Sequence, residues 1–142
     1  LVNESGIIKP SQLLDSLREN IILSLKQKGE FDTTKDGMDI ALCSIDQQTG
    51  ILKFSGANNE CVIIRNGEII ELKPNKQPIG QFIDAKPFTV EEFQLQHGDC
   101  VYLYTDGYVD QFGGDRLKKF KSRPFKSLLA TIYHLDMNDQ YK

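Results

Sequence analysis

The 142 residues carry 39% hydrophobic and 26% charged side chains with a formal net charge of −3, the proportions of a chain that buries a core and not of a disordered or fibrous one. No apolar run approaches the roughly 18 residues of a membrane-spanning helix, the first residues lack the basic-then-apolar pattern of a signal peptide, and the slight negative balance offers no general footprint for nucleic acid. One soluble, cytoplasmic domain is expected, and because LVNESGIIKP opens on Leu1 and reads as a chain already under way, it is expected to be a piece of a longer one.

Between Pro10 and Lys28, the residues Leu13, Leu14, Leu17, Ile21, Ile22 and Leu25 recur three to four positions apart, which predicts an amphipathic helix with one buried face. Pro10 suits the first turn, where a missing N–H leaves nothing unpaired, and Gly29 stands just past the end. DIALCSI and ILKF, separated by DQQTG, predict two strands and a turn ending at Gly50. ECVIIRNGEIIEL predicts a tighter hairpin, since Asn66 and Gly67 tolerate the positive φ angles of a type I′ turn. KPNKQPIG, with its two prolines and a glycine, breaks the sheet order before the strands FTVEEFQL and CVYLY, which the turn QHGD separates. Phe125, Leu128, Leu129, Ile132 and Tyr133 then predict a second packed helix from Pro124 to Leu135. Helix, about six strands with hairpin connections, helix is the order of an antiparallel α+β fold and not of a parallel sheet. Cys43, Cys61 and Cys100 all fall in predicted strands, and their odd number and spacing predict free thiols acting as small apolar residues.

The chemistry concentrates in TDGYVDQFGG, Thr105 to Gly114, which puts two carboxylates four positions apart where the last predicted strand ends. Asp106 would be held by a rigid element, Gly107 would let the backbone turn without a Cβ clash, and an aspartate oxygen suits Mg²⁺ or Mn²⁺. Strand-Asp-Gly is also a common turn opening, and on local physics alone that plainer reading leads. If Asp106 caps a helix starting near Gly107, Asp110 shares the side of its first turn, and two such carboxylates repel unless a cation or a shared proton intervenes. An aspartyl-phosphate hydrolase of the haloacid dehalogenase type would need an aspartate where Tyr104 stands, and an EF-hand loop would not carry Tyr108 and Phe112 where they are. His97 and His134 have no serine or cysteine close in sequence to pair with, which predicts ordinary surface or structural histidines. Arg116, Lys118, Lys119, Lys121, Arg123 and Lys126 gather six basic residues within eleven positions. They read first as a solvated loop, then as a surface for a phosphorylated or acidic partner, and least as an RNA site, because aromatic residues do not interleave them.

Four blocks in order, DGMDIALCSID, FSGANNECVIIRNGEIIELK, QPIG and HGDCVYLYTDGYVDQFGG, resemble the carboxy-terminal two-thirds of a SpoIIE-type protein serine phosphatase domain of the PP2C superfamily, from about Pro10 onward. The resemblance implies a PP2C-like β-sandwich of mainly antiparallel strands flanked by helices, incomplete here, with residues 1–142 as a single partial domain. It implies hydrolysis of phosphoserine on a regulatory partner protein, by analogy an anti-sigma-factor antagonist, through water activated by two bridged Mn²⁺ or Mg²⁺ ions. It also implies a bacterial signalling protein whose full-length chain carries sensory domains and can be membrane-anchored, with no nucleic acid as partner.

Asp106 falls on the metal-ligating aspartate of the family's TDG motif, Gly107 would permit close approach there, Asp110 falls on an accessory acidic position, and Asp39 in GMD lies near the site. The family's D-x-x-G-H-G aspartate would precede Pro10, a further ligand would come from a strand beyond Lys142, and Ala57 stands where a third ion would need an acid. A lone principal carboxylate implies that metal binds weakly and that these residues are catalytically silent by themselves. Strand edges left without neighbours would allow a dimer. The alternative is a non-catalytic binding module of the same fold.

Overall fold

The alternation of apolar side chains along the strand sequences produces two three-stranded antiparallel sheets that share one apolar interior. The computed structural model describes residues 9–27, 37–81, 84–109, 112–113, 118–119 and 121–141. Helix α1 (Pro10–Gln27) precedes β1 (Gly37–Met38), β2 (Ile40–Ile45), β3 (Ile51–Ala57), β4 (Cys61–Arg65), β5 (Glu68–Leu72) and β6 (Ile79–Gly80). After β7 (Glu91–Gln94) and β8 (Cys100–Leu103) come the short helix α2 (Asp106–Val109), the two-residue strands β9 (Phe112–Gly113) and β10 (Lys118–Lys119), then α3 (Ser122–Ile132) and the short α4 (Met137–Gln140).

One sheet runs β2-β3-β7 and the other β5-β4-β8, while β1 pairs with β6 and β9 with β10. The first predicted hairpin is in register from Ile40↔Ala57 to Ile45↔Leu52. The second runs from Cys61↔Leu72 to Arg65↔Glu68, and its turn has Asn66 at φ 51 and Gly67 at φ 80, the two positive angles a type I′ turn needs. β3 continues past the predicted ILKF to Ala57, a difference that matters at the site.

Period two sorts the side chains into layers. Leu52 and Phe54 of β3 and Cys61 and Ile63 of β4 face inward with Leu72, Ala41, Cys43 and Phe93. From the opposite face of β4, Val62 and Ile64 pack beneath Phe125 and Leu129 of α3. The outer face of the other sheet meets α1, where Leu14 lies with Ala57, Ile79 and Phe88. The result is helix, sheet, sheet, helix, the α+β sandwich flanked by helices that the sequence leads one to expect. β4 is buried on both faces from Cys61 to Ile64, which is why its apolar residues do not alternate with polar ones. All three cysteines are free, and the Cys43 and Cys61 sulfurs lie 3.9 Å apart in the interior. The Cys43 sulfur and burial together push the Cys61 thiol up, so it stays protonated.

The connection between β7 and β8 departs from the expected hairpin order. β7 pairs with β3 and β8 with β4, so the QHGD turn crosses from one sheet to the other. Arg65, at the end of β4, holds this corner. Its Nε and Nη2 donate to Asp99 Oδ1 and Oδ2 at 2.9 and 2.7 Å, and Nη2 also donates to Gln94 O at 3.0 Å. The guanidinium lies 4.9 Å from the centre of the Phe93 ring. The Asp99 side chain is 3% exposed and accepts a further bond from Gln96 N. Arg65 draws its carboxyl below the ordinary value.

The segment between β6 and β7 is anchored to α1 by a second polar set. Asp15 Oδ1 accepts from Phe88 N at 3.1 Å and from Arg18 Nη2 at 3.0 Å, and Arg18 Nη1 donates to Lys86 O at 2.9 Å. Gln77, buried, both donates to Lys86 O and accepts from Lys86 N. Among the described residues no helix is long and apolar enough to cross a membrane.

Candidate functional site

The site is built where β3 overruns its hairpin. Residues 56–58 lie against Asn75: Asn75 N donates to Gly56 O and Asn58 N donates to Asn75 O, both at 2.9 Å. Only glycine fits at position 56, because a Cβ there would stand 2.3 Å from Asn59 O, 2.7 Å from Phe54 Cζ and 2.9 Å from Pro74 Cβ. Asn58 turns the chain with φ 59, and its amide donates to Asp39 Oδ1 at 2.8 Å. This close approach sets the β3–β4 loop beside the loop that follows β5.

A pocket of about 320 Å³ opens between the two loops. Its walls are the 58–60 loop, Lys73, Lys76, Tyr104, Asp106 and Ser122, so the end of β8, the start of α2 and the start of α3 all contribute. Asp106 is exposed and is the first residue of α2.

Beneath the pocket lies a charged network that the sequence did not announce. Lys126 of α3 is buried, and its Nζ stands 2.6 Å from Glu60 Oε1 and 2.6 Å from Glu71 Oε1. The same Glu60 oxygen accepts from the Tyr104 hydroxyl at 2.6 Å, while the Tyr104 ring packs edge-on against Phe125 with centroids 4.7 Å apart. Lys73 pairs with Glu71 and lies 3.6 Å from Glu60 Oε2. Burial, the largest influence on Glu60, pushes its carboxyl up, but hydrogen bonds from Lys126 and Tyr104 outweigh it and the net direction is down. The Glu71 carboxyl is held at about 2 by Lys126 and then Lys73. Burial and the Glu60 carboxylate push the Tyr104 hydroxyl well up, so Tyr104 is a donor that does not ionise.

Of the residues singled out from sequence, Asp106 reaches the pocket and Asp39 touches its wall through Asn58. Asp110 lies outside the described residues. Gly107 is the second residue of α2, and among the described residues a Cβ there would meet nothing nearer than Thr105 Oγ1 at 3.5 Å, an ordinary contact. His97 is exposed in its turn and His134 is exposed with its ring edge-on to Tyr133. Lys126 leaves the basic cluster altogether, being committed to two carboxylates. Arg116 lies outside the described residues, and Lys121 and Arg123 are exposed. Lys73, Lys76, Asn58 and Glu60 had no signal of their own. The hint available was the asparagine pair in GANN, a residue type that tolerates the positive φ found at Asn58.

Whether these groups fit a divalent ion is decided by the donors. Among the described residues no three His, Cys, Asp or Glu side chains converge, and the carboxylate sharing the pocket wall with Asp106, Glu60, is already engaged by Tyr104 and Lys126. The described residues alone do not make a site for Mn²⁺ or Mg²⁺.

A family profile described as Stage II sporulation protein E (SpoIIE) matches residues 3–140. Among solved structures the chain is similar to the SiaA-PP2C domain of Pseudomonas aeruginosa, with 27% identity and a TM-score of 0.84 over 98% of this chain and 52% of that one. It is also similar to the phosphatase domain of the cell fate determinant SpoIIE from Bacillus subtilis. The Mn-presoaked structure gives 23% identity, a TM-score of 0.52 and coverage of 97% of this chain and 55% of the other. A second structure gives 17%, 0.51, 94% and 60%. The chain thus spans about half the length of the first two solved chains. No curated protein matches the sequence. The fold is that of PP2C-type phosphatase domains.

Proposed function

The chain belongs to the stage II sporulation protein E (SpoIIE) family, and from that membership we propose that it is part of a metal-dependent protein serine/threonine phosphatase acting on phosphoserine of a regulatory partner protein, such as an anti-sigma-factor antagonist. The observation that carries this reading is Asp106, the exposed first residue of α2 three positions past the end of β8, where it lines a pocket whose other walls come from three separate parts of the chain. In this reading Asp106 is the principal carboxylate that this stretch contributes to a Mn²⁺ or Mg²⁺ site, Asp110 is an accessory acid, and Gly107 leaves room for the ion. The remaining ligands come from elsewhere in the domain, consistent with a chain half as long as its solved relatives. The 142 residues by themselves are then without turnover. The enzyme acts in the cytoplasm, downstream of sensory domains.

The test is release of phosphate from a phosphoserine peptide by the full-length native chain with and without Mn²⁺. Asp106→Asn should lower the Mn²⁺-dependent rate by about 100-fold or more. Equal rates for wild type and variant would overturn the assignment and favour a binding module with no catalytic role.

A further inference from the structure

We infer that Cys43 and Cys61 are a site of oxidative modification, a thiol pair that hydrogen peroxide converts into a reversible disulfide fastening one sheet of the sandwich to the other. Neither the pocket nor the phosphatase reading enters into it.

Cys43 lies on β2 and Cys61 on β4, so the two side chains enter the shared interior from different sheets. Cys43 stands opposite Phe54 in its own sheet, and Cys61 opposite Leu72 and Leu103 in the other. Their sulfurs meet at 3.9 Å, which is van der Waals contact, and an S–S bond of about 2.0 Å requires them to close by roughly 1.9 Å. The two strands are not equally free to make that movement. Cys61 is fully buried on a central strand bonded on both sides, whereas Cys43 is half-buried on β2, whose one hydrogen-bonded neighbour among the described residues is β3. β2 is therefore the strand that yields.

The same difference assigns the two roles. Cys43 is the sulfur a small oxidant reaches, and Cys61 is the one that stands behind it. The Cys61 thiol draws Cys43 below its ordinary value against the opposing effect of burial, which favours the nucleophilic thiolate at the more accessible sulfur. Cys43 attacks one oxygen of hydrogen peroxide, the O–O bond breaks, and the departing hydroxide leaves as water with the Cys43 proton, giving a sulfenic acid. The Cys61 sulfur then attacks the Cys43 sulfur, the S–O bond breaks, and a second water leaves with the Cys61 proton. The two thiols have lost two electrons to the peroxide. In a reducing compartment such a bond is transient, and a dithiol restores both thiols. Cys100 takes no part, because it packs with Val62 and Ile64 on the other face of β4 and its thiol donates to Tyr133 O at 3.5 Å.

The experiment treats the full-length native chain with hydrogen peroxide, blocks the remaining thiols and maps tryptic peptides without reductant. Cleavage after Lys35, Lys53 and Arg65 places Cys43 in residues 36–53 and Cys61 in residues 54–65, so the expected product is these two peptides joined and lighter than their sum by two hydrogens. Dithiothreitol should separate them. In Cys61→Ala the sulfenic acid at Cys43 has no thiol to resolve it, so its labelling by dimedone should rise about tenfold over wild type. Cys43→Ala changes the half-buried partner and serves if Cys61→Ala does not fold: Cys61 should then stay unmodified at peroxide doses that join the pair in wild type. Cys100→Ala should leave the yield of joined peptide unchanged. Absence of the joined peptide overturns the proposal, as does a linkage found only between two chains. Equal sulfinic acid at Cys43 in wild type and in Cys61→Ala also overturns it. The Mn²⁺-dependent rate of Asp106→Asn moves none of these readouts, so the phosphatase reading stands or falls separately.

Discussion

The two ends of β4 carry opposite kinds of charged structure. At its last residue, Arg65 closes on Asp99 in a two-toothed pair that also takes in Gln94 O, a complete unit whose task is to hold the corner between sheets. Just before its first residue, Glu60 enters a branched network of Lys126, Tyr104, Glu71 and Lys73 that ends in Lys73 at the edge of a pocket. A closed pair spends its charges on architecture, whereas a network with an exposed outer member reaches the pocket wall. Both sit at the ends of β4, which is buried from Cys61 to Ile64, so both are positioned by the same rigid element.

Removing the hub of the network should have the largest effect on stability. Lys126→Met leaves Glu60 and Glu71 with only the exposed Lys73 as a shared cation and is expected to cost about 3–4 kcal/mol in urea denaturation at neutral pH. The variant should also lose acid sensitivity. The Glu71 carboxyl, ordinarily near 4.5, is held at about 2, so its pairing contributes fully above 4.5 and is lost as pH falls toward 2. Glu60, lowered in the same direction, adds to that slope. Wild type should therefore destabilise more steeply than Lys126→Met across this window, and parallel curves would show that the network does not hold these carboxyls down.

Breaking the closed end should cost less, because Asp99 keeps its bond from Gln96 N. Arg65→Met is expected to lose about 2–3 kcal/mol with no change in the Mn²⁺-dependent rate. A change in that rate would contradict the separation of the two ends. Gly56→Ala should cost about 2 kcal/mol by forcing apart strand and loop, and it should lower the same rate because both pocket walls move. Lys73→Gln should change stability least, by about 0.5 kcal/mol or less, as befits an exposed pair.

The difference between the ends also marks what could be read from sequence. Hairpins at Gly50 and at Asn66-Gly67 were legible because turn chemistry is local. The partition of β7 and β8 between sheets was not, since it depends on pairings and on an Arg65–Asp99 contact 34 residues apart. Asp106 was legible from its motif, but its pocket was not: the walls meet because Gly56 lets Pro74 and Asn59 approach, and nothing in the spacing of Lys73 and Lys76 points toward Asp106. Lys126 was misread because counting charges along a chain ignores the side of the helix they occupy. It sits between Phe125 and Leu129 on the face α3 turns inward.

The backbone exchange between Gly56, Asn58 and Asn75 has a kinetic and entropic consequence for whatever enters the pocket. Main-chain hydrogen bonds fix the separation of the two walls in the empty protein, so a ligand need not order a loop on arrival, only a few exposed side-chain tips. Such a receptor should capture its ligand rapidly, and differences in affinity among ligands should appear mainly in how long each one stays.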